Sequence, residues 1–474
     1  MKDWAGSAIE QALVRTENVH VLYCGDDTSP RLPSTVRVHR LDAIELTHTD
    51  RVRSVEEQAP VDRSDRVRIA LQSHFRQYRF DEIHFGIRRG LGFRCLQAKR
   101  AGLRFESIAL VAHLDTCSQR LREQSQMWPA DVDDLLLDFM EKYCFENADR
   151  RETHPTEAEE FIRQLQWKLT SIVEMPTAET PLVTIGIAHF NLGEFLPAAL
   201  ASLAAQTYST LEVIVIDDGS THPLSIATLV DMEKRYPQFR FLHQENAGIG
   251  ATRNRCLAEA RGEFFIPMDA DNIARPDMVE RFVAAMLRNP SYSALTCYFL
   301  AFSECQSTEP SRFLYAGRPT GGPHSLSCIR NVYGDANGIF RTMEFREIGG
   351  YETDRGTSCE DWEAYVKLVH AGKQIGVIPD YLFYYRHRDA GFSRSTNWFL
   401  NHQRVLRQFT SPAQMPPGEA AALWTALLGF QQQALHLAER LKCRRYRIAD
   451  AIHKLLTALS PRRWFAKLRL TRRS

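Results

Sequence analysis

Two pairs of aspartates stand where carboxylates can act together. Asp217 and Asp218 directly follow the apolar run EVIVI, and Asp269 and Asp271, in MDADN, directly follow EFFIPM. An apolar strand ending in carboxylates places them at its carboxyl end, where ligands bind in open α/β sheets. The i, i+2 spacing of Asp269 and Asp271 lets two carboxylates approach one hard cation, with diphosphate oxygens completing its shell. Either pair alone also fits a solvated turn, because aspartate and asparagine cap helices and form Asx turns. At equivalent strand ends of one sheet, the two pairs point to a site.

A third acidic pair, Glu360 and Asp361, opens CEDWEAYVKLVHAG, whose Trp362, Tyr365, Val366 and Val369 fall on one helical face. One reading is first-turn charge that complements the helix dipole. The other is that Asp361 projects into a cleft and takes a proton from a hydroxyl, as a general base does. Between the pairs, ENAGIGATRNRCLAEA carries Gly248 and Gly250, which permit close backbone approach, and Arg253, near a helix start that can face an anion. Arg253 reads either as a diphosphate contact or as an exposed arginine after a strand-to-helix turn.

The elements that must position these groups alternate. From residue 181 the order is strand VTIGIAHF, helix EFLPAALASLAAQ, strand EVIVID, a helix near 224–235, strand RFLHQE, helix ATRNRCLAEA and strand EFFIPMD. Strands alternating with helices predict a parallel sheet covered on both faces. The first segment reads similarly: strand-like runs at 19–24, 81–86 and 106–114, with the helical CLQAKRAG between the last two. In DVDDLLLDFMEKYCFENAD, Leu135, Leu136, Phe139, Met140 and Tyr143 share a helical face. GIRRGLG has the wrong glycine spacing for a dinucleotide loop and reads as a turn. A boundary falls near 172–180, in SIVEMPTAETP, and strand patterns stop beyond about 412. The expected organisation is therefore 1–175, 180–405 and 412–474, the last as amphipathic helices with a basic tail.

With 59 basic and 58 acidic residues the chain has no global field to attract nucleic acid. Its ten cysteines are scattered without a CxxC pair, which suits buried free thiols. No basic and apolar leader opens the chain, and no apolar run approaches the ~18 residues that span a bilayer. The expectation is a cytoplasmic protein, at most peripheral at the inner face of a membrane.

The sequence PLVTIGIAHFNLGEFLPAALASLAAQTYSTLEVIVIDDGST, followed by QENAGIGATRNRCLAEARGEFFIPMDADN, resembles the family 2 glycosyltransferases of the GT-A fold over about 181–390. The resemblance implies a transferase using a nucleotide-diphospho-sugar, UDP-linked as the first expectation, with a divalent metal, Mn2+ or Mg2+. It implies that Asp218 binds the nucleobase with Asp217 supporting the loop, and that Ala188, His189 and Phe190 line the base and ribose site. Asn246, Gly248, Arg253 and Asp269 join the donor site. Asp269 and Asp271 become the metal motif, Asp361 the catalytic base beside Glu360, and His387 a metal or diphosphate contact, against the alternative of a structural histidine. Asp335, Asn337 and Gly338 fall in the acceptor-side region without assigned roles. The chain departs from the family in AHFN at the first strand end and in Asn272, where an aspartate is common.

The first segment is similar to the amino-terminal half of a family 4, GT-B glycosyltransferase, with a non-catalytic role implied. The last residues gather Arg462, Arg463, Lys467, Arg469, Arg472 and Arg473 around Trp464, Phe465, Leu468 and Leu470, suited either to an anionic membrane surface or to a soluble basic tail. The function expected is inverting sugar transfer to a glycan or lipid-linked saccharide in surface polysaccharide synthesis. The rival is a degenerate nucleotide-sugar or glycan-binding scaffold. A nucleotidyltransferase would need a basic loop early in the sheet, and IAHFNLGEF offers none.

Overall fold

The structure, a computed structural model, describes residues 20–23, 37–41, 52, 54, 59–73, 80–114, 116–127, 129–153, 180–303, 312–388, 391 and 395–409. The basic tail and the expected helices after 412 lie outside the described residues, as does most of the 172–180 boundary.

In the first segment, strands β1 (His20–Tyr23) and β2 (Arg37–Arg40) pair in parallel. Helix α1 (Ala59–Ser73) follows, and then β3 (Glu82–Gly86), α2 (Phe93–Arg100), β4 (Ala109–Leu114), α3 (Ser118–Gln124), α4 (Val132–Asn147) and β5 (Arg150–Thr153). Strands β3, β4 and β5 form a parallel sheet in that order, as strand-helix-strand alternation requires. Leu135, Leu136 and Met140 of α4 are buried, while Phe139 and Tyr143 pack from its margin. Glu141 turns inward rather than facing water: its carboxylate accepts the Arg89 and Ser118 backbone N–H groups at 2.7 and 2.6 Å. Arg89 and Gly90 both adopt positive φ, so GIRRGLG is a tight turn.

From Val183 the strands and helices interleave with short connections. They are β6 (Val183–His189), α5 (Leu196–Ala204), β7 (Leu211–Asp217), α6 (Pro223–Arg235), β8 (Arg240–His243), α7 (Ile249–Glu259), β9 (Phe264–Asp269), β10 (Ile273–Ala274), α8 (Met278–Arg288) and β11 (Tyr292–Ser303). Then come β12 (Tyr315–Gly317), β13 (Ile339–Arg341), α9 (Thr342–Glu347), α10 (Glu360–His370), β14 (Gln374–His387) and α11 (Trp398–Leu406). Nine strands make one mixed sheet in the order β10-β14-β11-β13-β9-β6-β7-β8, with β12 on β11. Strands β6, β7, β8 and β9 run parallel, and β13 inserts antiparallel between β9 and β11. The central strands are nearly continuous apolar runs because helices cover both faces: Val183, Ile185 and Ile187 enter one core and Ile214, Ile216 and Phe265 another. The chain thus has the α/β class that the alternation implies and, from Val183, the GT-A architecture that the resemblance implies.

The helices of the first segment meet the part of the chain that follows Val183 through buried polar contacts. Arg94 of α2, fully buried, donates to the Pro319 and Arg318 carbonyls at 2.9 and 3.1 Å, and Gln97 donates to Thr320 O at 3.1 Å. Tyr298 of β11 donates to Asp65 of α1 at 2.9 Å. Burial alone would raise the Asp65 carboxyl, but Arg94, Arg68, Arg318 and the Tyr298 hydroxyl hold it below its ordinary value. At the other end, Asn289 donates to Arg100 O at 2.9 Å and accepts from its guanidinium at 3.1 Å. Asn289→Ala strands a buried carbonyl and a guanidinium, so it is expected to lower stability by about 1–3 kcal/mol in urea titration. A change below the error of that titration would mean that the contact is dispensable.

Candidate active site

Parallel register brings the two aspartate pairs together. On either side of β6, His189 stands opposite Asp217 of β7 and Ala188 opposite Asp269 of β9. Asp217 lies 3.2 Å from His189 Nδ1 and 3.5 Å from His243 Nδ1, and the Ser220 N–H donates to it. Burial raises its carboxyl, but the hydrogen bonds from Ser220, His189 and His243 hold it below the usual range. Burial pushes the His189 imidazole down, so the ring is neutral near pH 7. Its Nε2 has no hydrogen-bond partner among the described residues. Ala188 is half-buried and Phe190 exposed at the same strand end.

Asp218 is turned into the neighbouring loop. Its Oδ1 accepts from Gln244 and from the Ala247 N–H at 2.7 and 2.8 Å, and its Oδ2 from the Gly248 N–H at 2.9 Å. Asn246 donates to the Asp218 carbonyl at 2.9 Å and accepts from Arg355, a residue that no motif singled out. Gly248 has φ +91° and ψ 160°, a conformation that side chains oppose, and it starts α7. A Cβ on Gly250 would lie 2.3 Å from the Glu352 carbonyl, so the close approach this glycine permits is to the segment leading into α10.

That packing puts α7 against the start of α10. Arg253, 3% exposed, bridges the two acidic motifs: one guanidinium nitrogen pairs with Asp269 at 2.5 Å and the other with Glu360. Its guanidinium also lies 5.5 Å from the centre of the Tyr351 ring. Cys359, immediately before α10, has φ +70°, uncommon for a side chain other than asparagine or aspartate, and this bend sets the direction in which Glu360 and Asp361 leave the backbone. Glu360 is buried, and its Oε2 has no hydrogen-bond partner among the described residues. Asp361 is half-buried and accepts its neighbour Trp362's N–H at 2.8 Å. Burial and the Glu360 charge push its carboxyl up to about 7, against the pull of Arg253.

Asp335, before β13, lies within the electrostatic reach of Asp269 and Asp361. Burial, then the charges of Asp269 and Asp361, push its carboxyl well above the usual range. Asn337 accepts the Asp269 N–H at 3.2 Å, and its buried Nδ2 has no partner among the described residues. A Cβ on Gly338 would lie 2.6 Å from the Tyr365 hydroxyl, so this turn is closely packed against α10.

Asp271, 8% exposed, pairs with Arg388 at 2.6 Å. Burial and the charge of Asp269 push its carboxyl up to about 6, with Arg388 opposing. Asn272 is structural: fully buried, it accepts the Arg386 N–H at 3.0 Å. Arg386 and Arg388 both lie over Phe195, at 4.8 and 5.6 Å from its ring centre, whereas His387 between them is directed to the Tyr315 hydroxyl at 3.0 Å. Thus Arg386 donates to the Asp271 carbonyl at 3.0 Å, and the group from this strand end that reaches the Asp271 carboxylate is Arg388, not His387. Alternation along a strand was the signal that could have found it, because RHR at an apolar run's end puts its arginines on one side. Among the described residues, His, Cys, Asp or Glu ligand atoms within 4.8 Å of one another occur as a trio at His84, His113 and Glu152, not at Asp269, Asp271 and His387. Asp269 and Asp271 offer an all-oxygen carboxylate pair, which fits a hard divalent cation sharing its shell with phosphate.

Residues 184–349 match the family model described as Glycosyl transferase family 2. Curated relatives include the putative glycosyltransferase EpsH of Bacillus subtilis, 36% identical over 105 residues, covering 22% of this chain and 30% of that protein. Chondroitin synthase of Escherichia coli is 35% identical over 100 residues, 21% of this chain and 14% of that protein. The match to EpsH, like that to Escherichia coli YibD at 32%, spans about a third of the relative's length. Among solved structures, the mannosyltransferase PcManGT of Pyrobaculum calidifontis, in complex with GDP-Man and Mn2+, has a TM-score of 0.42 at 18% identity, over 64% of this chain and 88% of that one. The 1–349 portion of S. aureus TarS, in complex with UDP-GlcNAc, has a TM-score of 0.42 at 19% identity, over 52% of this chain and 71% of that one. The matched segment is thus similar to family 2 glycosyltransferase domains. The family match begins at residue 184 and leaves the first segment outside it. No helix among the described residues is long and apolar enough to cross a membrane.

Proposed function

We propose that this chain is an inverting glycosyltransferase that passes a sugar from a nucleotide-diphospho-sugar, UDP-linked in the first instance, to a glycan or lipid-linked saccharide in surface polysaccharide synthesis. The observation that carries this reading is Asp361: a carboxyl poised near neutral pH, at a helix start, within the electrostatic reach of Asp269 and Asp335. A carboxyl at about 7 is ionised enough to accept a hydroxyl proton and basic enough to hold it. Inversion follows from one base and one displacement, since no enzyme nucleophile is needed.

In this reading Asp218 and Asn246 shape the loop that receives the base, and His189 offers its unpartnered Nε2 beside Ala188 and Phe190. Asp271 and Asp269 hold Mn2+ or Mg2+, which when bound offsets the charge developing on the departing diphosphate. Arg388 and Arg253 pair with those carboxylates, and in this reading Arg388 would exchange Asp271 for a phosphate oxygen. His387 would have to leave Tyr315 to take part. The first segment, residues 1–175, assists acceptor binding or assembly, residues 180–405 perform transfer, and the basic tail within 412–474 engages an anionic membrane surface from the cytoplasmic side. Nucleic acid has no place in it.

The pairing of both metal-motif carboxylates with arginines also supports a second reading, a scaffold that binds a donor without turning it over. Nucleotide release from UDP, GDP and dTDP sugars with Mn2+ or Mg2+ separates the two. Transfer predicts metal-dependent release, with Asp271→Ala raising the metal concentration required by about 10–100-fold. Donor binding without release in any acceptor mixture would favour the scaffold.

A further inference from the structure

The three-stranded sheet of the first segment has two unlike faces. Ile83, Phe85, Leu110, Ala112 and Leu114 turn to the apolar core under the helices. Alternation and parallel register place Glu82, His84, His113, Arg150 and Glu152 on the opposite face. His113 stands opposite both Gly86 and Glu152 and diagonal to His84. We propose that His84, His113 and Glu152 form a binding site for a borderline divalent cation of the Zn2+ type, separate from the cleft of Asp269 and Asp271.

One nitrogen from each imidazole and one Glu152 oxygen lie within 4.8 Å of one another, so a single ion can reach all three. Two imidazoles with one carboxylate select Zn2+ over Mg2+, which prefers oxygen, and leave a fourth position for water or a ligand. The surroundings orient the ligands. His84 Nδ1 lies 2.8 Å from His113 Nε2, and His84 Nε2 lies 2.8 Å from Glu82. With its Nε2 hydrogen donated to Glu82, His84 presents an Nδ1 lone pair towards His113, the carboxylate-histidine arrangement that fixes a metal-binding tautomer. Arg150 grips Glu82 with two bonds of 2.7 and 2.9 Å and so fixes that carboxylate in turn. His113 Nδ1 lies 3.6 Å from Glu152, so the hydrogen between the rings passes to that nitrogen, beside one Glu152 oxygen, when an ion takes both facing lone pairs. His113 is 1% exposed, whereas the His84 and Glu152 side chains are 29% and 28% exposed, which gives a rigid inner ligand and a path from water.

The test uses the untagged full chain, stripped with a chelator and titrated with Zn2+ alone against a chromophoric chelator, without nucleotide. Wild type and Asp271→Ala are expected to bind the tightest equivalent alike, because that site shares no residue with the Asp269 and Asp271 pair, where any further Zn2+ would be held more weakly. His84→Gln and Glu152→Gln, both at partly exposed positions, should weaken binding by about 100-fold or more, and Glu82→Gln by about 10–100-fold, with circular dichroism unchanged. Co2+ in place of Zn2+ should give visible bands of four-coordinate type in wild type and Asp271→Ala but not in His84→Gln. Absence of Zn2+ binding by wild type, equal binding by folded His84→Gln and Glu152→Gln, or loss confined to Asp271→Ala would each overturn the site. Sugar transfer is not read in any arm, so failure of the transferase reading leaves these outcomes interpretable.

Discussion

Asp361→Asn should lower turnover by about 10²–10⁴-fold while leaving donor affinity within a few-fold, since a general base contributes in the transition state and not in donor binding. That loss corresponds to about 3–5 kcal/mol of barrier. In wild type the rate should fall as pH drops through the neutral range, because the carboxyl pushed up to about 7 becomes protonated, and this limb should vanish from the residual activity of the variant. Stability should move the other way. The folded carboxyl lies above its ordinary value of 3.8, so it holds a proton between about pH 4 and 7 that the unfolded chain has released. Folding is therefore opposed by ionisation above about pH 7, and that penalty fades as pH falls towards the unfolded value. Asp361→Asn should be at least as stable as wild type at pH 8, with the difference closing below pH ~4. Nucleotide release across pH and urea titration at both pH values measure this. A stability loss with weakened donor binding would assign Asp361 to structure.

Arg253→Ala is expected to cost about 3–5 kcal/mol of folding free energy, because it leaves buried Glu360 and half-buried Asp269 without their common cation. Replacing the buried pair together, as Arg253→Met with Glu360→Gln, should recover the part of the loss that Glu360 carries, since a neutral pair of similar volume needs no compensation, and leave the part due to half-buried Asp269. The recovery appears as a coupling energy in a double-mutant cycle by urea titration. A single-variant loss under about 1 kcal/mol would mean that the bridge is weak and that Arg253 is free to meet a phosphate. The double variant also separates fold from chemistry: restored stability without activity would place the arginine's second role at Asp269.

Local pattern fixed a good deal of this molecule. Apolar runs such as EVIVI and EFFIPM could only be covered strands, and the aspartates after them could only fall at strand ends. Side-chain period and turn residues act over a few positions, so the sequence carries them directly. The α/β alternation from Val183, the helix behind Asp361 and the paired carboxylates at Asp217, Asp218, Asp269 and Asp271 were legible for that reason.

What tertiary structure alone decided concerns partners distant in the chain. That Arg253 spans Asp269 and Glu360, that Arg388 and not His387 reaches Asp271, and that Asp335 shares the electrostatics of Asp361 follow from the sheet order, with β13 entering antiparallel beside β9. Docking of Arg94 and Gln97 on the 318–320 segment is of the same kind. An arginine in a sequence declares its charge but not which carboxylate will be buried against it. That choice depends on how non-adjacent strands are ordered, and the short-range pattern of side chains does not encode it.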